Sequence, residues 1–154
     1  MRVFYYDFSD PAAYLLAEQM PRAEWVPVRA RAISAAVPSL EGISEQIDAA
    51  GHQPFSVPTR FPFDAEPALR AATYAATIGK VVAFSLAAFR QAYAGGRPLD
   101  DPDNVVIAAA ACEMHPRAVL QAIERDTITK KLDAATALAQ ERVDSVPNFW
   151  NPTQ

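Results

Sequence analysis

The residues best placed for chemistry near the N-terminus are Ser9 and Asp10, a hydroxyl and a carboxylate that directly follow the strand-like segment RVFYYDF. Asp10 followed by Pro11 is typical of a helix start. The aspartate accepts bonds from free amides of the first turn, and proline at the first helical position loses no needed donor. A carboxylate at a helix N-terminus should be stabilised in its charged form. Asp10 is therefore either a helix cap or a functional acceptor.

Cysteine and histidine are too sparse for a metal site or a dithiol. Cys112 is the only cysteine, so the chain can form neither an internal disulfide nor a Cys-pair zinc site. Its place in an alanine-rich helix indicates a small buried hydrophobe. His52 and His115 share no ligand-like spacing, which favours a surface or capping role for each. The sequence therefore predicts no metal, and it excludes a dithiol–disulfide mechanism.

Composition and charge narrow the class of protein. With 154 residues, 51% of them hydrophobic, the chain is long enough to bury the core of one domain. A net charge of −4 and no basic run argue against binding to nucleic acid or to an anionic membrane. Arg70, Lys80 and Arg90 interrupt the alanine-rich stretch 68–94 before it reaches the roughly 20 apolar residues of a membrane span. With one cysteine and no charged-then-apolar leader, a cytoplasmic protein is expected.

Hydrophobic patterning predicts a β-α-β start. Residues 2–8 resemble a buried strand, a helix follows from Asp10 to about Met20, and residues 24–29 form a second short strand. Pro27 suggests that this second strand lies at an edge or ends there. Two parallel strands joined by a helix need a right-handed crossover, which this spacing allows.

The middle of the chain is predicted to be helical. Residues 33–50 carry a weak helical pattern with Ser39 as a candidate cap, and a proline-rich loop follows over residues 52–63. Further helices are predicted over 64–79 and 80–94 and after the starts at Asp101, His115 and Asp126 or Thr127, the last of them running to about Arg142. Residues 145–150, SVPNFW, then return to an extended pattern. An all-helical protein remains an alternative if the terminal segments are not strands.

Four segments resemble the DsbA family: YDFSDPAAY, RFPFDAEPALRAA, FRQAYAGGRPLDDPDNV and DSVPNFW. The resemblance is closest to the branch of 2-hydroxychromene-2-carboxylate isomerases and kappa-class glutathione transferases. It implies an α/β thioredoxin-like fold with an N-terminal half at 1–32, a helical insertion or lid at 33–126, and a C-terminal half at 127–154. It also implies a cis peptide bond at Val146-Pro147 and a homodimer.

The resemblance implies a site as well. Asp10 takes the position of the isomerase serine or the first redox cysteine, and Ser9 could replace it as a donor if the register shifts. These two are the catalytic candidates. In the lid, Phe61-Pro62-Phe63-Asp64 matches a Phe-Pro-x-Asn contact segment, with aspartate in place of asparagine. The substrate-binding candidates are Pro11, Tyr14, Phe61, Asp64, Val146 and Pro147.

These departures leave two functions open. The isomerase branch uses a serine hydroxyl to donate to the glutathione thiolate, whereas an ionised Asp10 would repel a thiolate by roughly 1 to 4 kcal/mol. One hypothesis is an isomerase or transferase that uses glutathione or a similar thiol on a small-molecule substrate. The other is a non-catalytic binding or oligomerisation module with a decayed site.

Several candidates also have purely structural interpretations. Tyr14 could be core, Asp64 could cap the next helix, and Phe55, Phe61 and Phe63 could form either an apolar pocket or a satellite core. The resemblance further implies a partner strand and a closing helix after the Val-Pro strand, for which the residues up to Gln154 leave no room. We therefore expect either a partner subunit that completes the sheet or a truncated relic.

Overall fold

The computed structural model describes residues 1–51 and 55–152, so that His52 lies outside the described residues. Within them the chain forms three strands, one 3-10 helix and seven α-helices. The strands are β1 (Val3–Tyr6), β2 (Glu24–Pro27) and β3 (Asn148–Trp150), and the 3-10 helix is Ala30–Ala32. The α-helices are α1 (Pro11–Glu18), α2 (Ile43–Ala50), α3 (Glu66–Thr77), α4 (Val81–Tyr93), α5 (Pro102–Ala110), α6 (Pro116–Glu124) and α7 (Asp126–Arg142).

The three strands form one sheet in the order β2-β1-β3. β1 is central because it pairs in parallel with β2, with Phe4 opposite Trp25, and antiparallel with β3, with Phe4 opposite Phe149. α1 makes the crossover between the parallel strands. The predicted β-α-β start, helical middle and late strand are therefore confirmed.

The sheet is covered on both faces. Phe4 and Tyr6 of β1 belong to the large core cluster that includes Phe89 of α4, whereas Val3 and Tyr5 point the other way and join a smaller cluster with Ala139 of α7. This alternation follows from the two-residue period of a strand. All four residues of β1 are buried, as expected for a central strand with helices on either side.

Two buried hydrogen bonds tie the helical insertion to the sheet. The hydroxyls of Tyr6 in β1 and Ser85 in α4 lie 2.6 Å apart, and the hydroxyl of Tyr93 in α4 donates to the carbonyl of Phe8 at 2.6 Å. The bonded residues are 79 and 85 positions apart in the chain. Helix α4 therefore fixes the position of the end of β1 and of the turn behind it.

Several predicted boundaries shift. α1 ends at Glu18, before Met20, whose φ is +51°, and the second strand ends at Pro27 instead of residue 29. α7 begins at Asp126 with Arg125 at the N-cap, so that neither Asp126 nor Thr127 caps it. Within the described residues no helix is long and apolar enough to cross a membrane.

The largest difference from the sequence-based prediction concerns residues 33–42. The weak helical pattern predicts a helix here, but the helix begins only at Ile43, after Gly42 with a φ of +74°. Pro38 cannot continue an upstream helix, and the hydroxyl of Ser39 accepts from the amide of Glu41 in a local turn. Ser39 therefore stabilises a turn instead of capping a helix, and residues 33–42 form no α-helix.

The predicted aromatic group at 55–63 packs on the core. Phe63 is buried, while Phe55 and Phe61 are half-buried against the same cluster. The rings of Phe55 and Phe63 lie 6.4 and 6.2 Å from the ring of Tyr93. These side chains thus anchor the proline-rich loop to α4.

Candidate active site

A cavity of about 250 Å³ opens where the end of β1 meets the loop after β2, the start of α3 and the loop before β3. Its walls come from four segments that are distant in the sequence. The lining residues are Asp7, Ser9, Asp10, Arg29, Ala30, Arg31, Ser34, Ala36, Val37, Pro38, Pro62, Phe63, Asp64, Ala65, Glu66, Leu69, Ser145 and Val146.

Asp7 is the most deeply buried polar residue of this cavity, with 5% of its surface exposed. Its Oδ1 accepts from the amide and from the hydroxyl of Ser9, both at 3.0 Å, and its Oδ2 accepts from the amide of Ala30 at 2.9 Å. Burial raises the pKa of the Asp7 carboxyl above its ordinary value, although these hydrogen bonds act in the opposite direction. Asp7 therefore links the β1 turn to the segment after β2.

Asp10 caps α1, as the sequence predicts. Its Oδ1 accepts from the amide of Ala12 at 2.9 Å, and Pro11 is the first helical residue. Burial raises the pKa of the Asp10 carboxyl, with the bond from Ala12 as the opposing effect. This desolvation opposes the stabilisation of the charged form that a helix N-terminus provides.

The opposite wall is the start of α3. Phe63 is buried there, whereas Asp64 is exposed at the rim, and its Oδ1 accepts from the amide of Glu66 at 3.0 Å. Asp64 thus makes the local bond expected of a residue at a helix start, while Ala65 occupies the N-cap position. The Phe61-Pro62 and Val146-Pro147 peptide bonds are both cis, the second as the resemblance implies.

Two arginines line the cavity, and they differ in whether their charge is paired. Nε of Arg29 contacts Oε1 of Glu66 at 2.5 Å, and its Nη1 donates to Asp133 in α7. Arg31 is exposed and forms no ion pair or hydrogen bond with any residue that the structure describes. The positive charge of Arg29 is therefore neutralised within the fold, while that of Arg31 faces solvent and the cavity mouth.

The structure brings four of the sequence-predicted site residues to the cavity: Ser9, Asp10, Asp64 and Val146. The other four, Pro11, Tyr14, Phe61 and Pro147, do not line it. Tyr14 is fully buried, and its ring lies 5.8 Å from that of Tyr93. It therefore occupies a core position, the alternative to a ligand contact.

Asp7 and the loop residues Ser34, Ala36, Val37 and Pro38 also line the cavity, although the sequence predicts no site role for them. Asp7 stands at the end of a strand of buried aromatic residues, and an ionisable residue in such a strand is a signal that could have been used. The loop residues carry no comparable signal, because only the tertiary fold places them beside Ser9. Among the described residues no cluster of histidine, cysteine, aspartate and glutamate could hold a metal ion.

No protein-family model and no curated protein matches the sequence. Among solved structures, a 2-hydroxychromene-2-carboxylate isomerase superposes with a TM-score of 0.87 and 15% identity, over 99% of this chain and 86% of that one. A candidate protein disulfide isomerase from Nitrosomonas europaea gives 0.73 and 17%, over 96% and 82% of the two chains. A probable DsbA oxidoreductase from Streptomyces coelicolor gives 0.71 and 18%, over 96% and 78%.

Likeness at these identities concerns the fold. The isomerase and the two DsbA-like structures share nearly all of this chain's architecture, including the inserted helices. The chain therefore has the DsbA-type thioredoxin-like fold, in an arrangement similar to that of the 2-hydroxychromene-2-carboxylate isomerase.

Proposed function

We propose that the cavity binds glutathione or a similar small thiol, and that the chain uses this thiol in an isomerisation or transfer reaction on a small-molecule substrate. One observation carries the proposal. The β1 turn with Ser9 and Asp10, the loop 62–64 and Val146 beside the cis-proline converge on a single cavity. The family resemblance implies ligand contacts from these same three segments, although they are far apart in the sequence.

The chemistry of the lining supports a thiol at the inner end. Ser9 and Asp10 offer a hydroxyl and a carboxyl beside the first turn of α1, and Val146, which precedes the cis-proline, also lines the cavity. A volume of 250 Å³ lies just below the range of about 300 to 1,000 Å³ that is typical of small-molecule sites. The cavity therefore suits the thiol-bearing part of a ligand, with the remainder extending past Arg31.

A non-catalytic binding or oligomerisation module is the second candidate. The hydrogen bond between Ser9 and Asp7 favours this candidate, because the Ser9 hydroxyl donates to Asp7 and is not free to donate to a thiolate. Four carboxyl groups also line the cavity, from Asp7, Asp10, Asp64 and Glu66. In this case the fold would bind a ligand or a second copy of the chain without chemistry.

Calorimetric titration of glutathione into the wild type and the Asp10→Ser variant tests the proposal. Serine is also a good N-cap, so that α1 keeps its start while the charge is lost. We expect millimolar or tighter binding by the wild type. In Asp10→Ser we expect an affinity about tenfold higher, since about 1.4 kcal/mol of repulsion is removed.

Asp101→Ser is the matched control. Asp101 caps α5 in the same Asp-Pro arrangement, accepting from the amide of Asp103 at 2.9 Å, but it does not line the cavity. Its variant should bind glutathione like the wild type. Absence of binding by both wild type and Asp10→Ser at millimolar glutathione would refute the proposal and leave the non-catalytic candidate.

A further inference from the structure

The hydroxyl of Ser9 is already a donor within the protein, and the direction of this bond defines what the site can do to a thiol. Ser9 Oγ lies 3.0 Å from Asp7 Oδ1, and the ionised carboxylate can only accept, so the hydroxyl proton points at Asp7. The lone pairs of Ser9 Oγ are left for a ligand. Resting on the proposed function, we infer that Asp7 is the proton acceptor for the bound thiol and that it acts through the hydroxyl of Ser9.

The surroundings of Asp7 favour this role. Its carboxylate is held by the amides of Ser9 and Ala30 and by the Ser9 hydroxyl, and no arginine or lysine of the described residues forms an ion pair with it. A charge that is buried without a cation gains from becoming neutral. The raised pKa of the Asp7 carboxyl expresses the same tendency.

The proton transfer balances without any other reactant. The S–H bond of the thiol breaks as its proton moves to Ser9 Oγ, while the original hydroxyl proton of Ser9 moves to Asp7 Oδ1. The products are a thiolate, a neutral Ser9 hydroxyl and a protonated Asp7. The total charge of the site is unchanged, because the negative charge moves from carboxylate to sulfur. Ser9 then donates to the thiolate, which is the bond that the resting structure lacks.

The other ionisable groups around Asp7 are engaged elsewhere, except Arg31, which is exposed and forms no ion pair with any residue that the structure describes. Facing it from the neighbouring elements are Asp10, Arg29, Arg31, Asp64, Glu66 and Tyr93. Tyr93 donates to Phe8, Glu66 pairs with Arg29, and Asp10 and Asp64 each accept a backbone amide at a helix start. Among these described groups, only Asp7 combines burial with a bond to the hydroxyl of a serine that lines the cavity.

The test is the ultraviolet absorbance of the bound thiolate as a function of pH. The spectrum of the S-methylglutathione complex is subtracted from that of the glutathione complex, which cancels the signals of Cys112 and the tyrosines. In the wild type we expect the bound thiol to ionise about one pH unit below free glutathione. Ser9→Ala and Asp7→Asn should return the titration to that of the free thiol while retaining S-methylglutathione binding within about twofold.

Ser39→Ala serves as the matched control, because the Ser39 hydroxyl also stabilises a local turn but lies outside the cavity lining. It should titrate like the wild type. If Asp7→Asn does not fold, Ser9→Ala decides, since the Ser9 amide still binds Asp7 in that variant.

Two results would overturn the inference alone: a bound thiol that titrates like free glutathione in the wild type, or variants that titrate like the wild type. In both cases glutathione still binds, and the proposed function stands. If the wild type binds neither glutathione nor S-methylglutathione, the proposed function itself fails, and the inference fails with it.

Discussion

The hydroxyl of Tyr93 donates to the backbone carbonyl of Phe8 at 2.6 Å, and both residues are completely buried. This bond connects the last turn of α4 to the residue directly before Ser9. Because water cannot reach the pair, no solvent molecule can replace either partner. The turn that carries the candidate catalytic residues is therefore positioned by the inserted helices and not by the sheet alone.

Tyr93→Phe should lower the free energy of unfolding by about 1 to 3 kcal/mol, because the Phe8 carbonyl is left buried without its partner. Urea denaturation measures this change. Tyr74→Phe is the control, since Tyr74 is half-buried and its hydroxyl makes no side-chain hydrogen bond to the described residues. Equal stabilities of the two variants would show that the bond contributes nothing.

The Tyr6–Ser85 hydroxyl pair should behave as a coupled unit. Tyr6→Phe and Ser85→Ala each remove one partner of a buried 2.6 Å contact and leave the other unsatisfied. We expect each variant to lose about 1 to 3 kcal/mol, and the double variant to lose less than the sum. Urea denaturation of all four proteins gives the coupling energy. Strict additivity would contradict a direct interaction.

The stability of the protein should carry a pH dependence from Asp7. The folded-state pKa of its carboxyl is raised above the ordinary value of 3.8, so the folded state binds more protons than the unfolded state above that value. The stabilisation is present at low pH and is lost as the pH rises through the raised pKa. The free energy of unfolding of the wild type minus that of Asp7→Asn should therefore fall from acidic to neutral pH.

Thermal denaturation across that pH interval checks the sign. Asp101→Asn is the reference, because Asp101 belongs to a solvent-exposed cap and shows no comparable burial. If the free energy of unfolding of the wild type minus that of Asp7→Asn rises with pH, the folded state prefers the charged carboxylate and the prediction is wrong.

The ion pair of Arg29 and Glu66 should contribute more than a surface pair. Both side chains are partly buried, with 29% and 23% exposed, and Arg29 also reaches Asp133. We expect Glu66→Gln to cost about 1 to 2 kcal/mol in urea denaturation, and Asp100→Asn, which breaks the more exposed pair with Arg60, to cost about 0.5 kcal/mol or less. The reverse order would refute this ranking.

Local signals account for the parts of the fold that the sequence predicts correctly. The Asp-Pro starts at Asp10 and Asp101 and the His-Pro start at His115 all cap helices through their side chains. In each case the cap and the proline lie within two or three residues of the amides they serve. Such short-range physics can be read from one sequence without knowledge of the tertiary structure.

The candidate site depends on contacts between residues that are far apart in the sequence, which local patterns do not predict. Asp7 accepts from Ala30, which lies 23 positions away, and its importance does not follow from its neighbours alone. The resemblance located Ser9, Asp10, Asp64 and Val146, which line the cavity. The resemblance gave no indication of the loop 34–38. The hydrophobic pattern was also misleading there, because it suggested a helix where Pro38 and Gly42 prevent one.

The loop 36–38 forms one wall of the cavity, and its residues are not part of the hydrophobic core. Val37 is 77% exposed, whereas Phe63 and Leu69 on the facing wall are buried and hold α3 in place. Substitutions at exposed loop positions usually change stability by less than about 0.5 kcal/mol. Substitutions in this wall should therefore alter its shape and polarity with little loss of stability. If the cavity binds a ligand as proposed, changes at this wall would alter ligand preference with little effect on the stability of the fold.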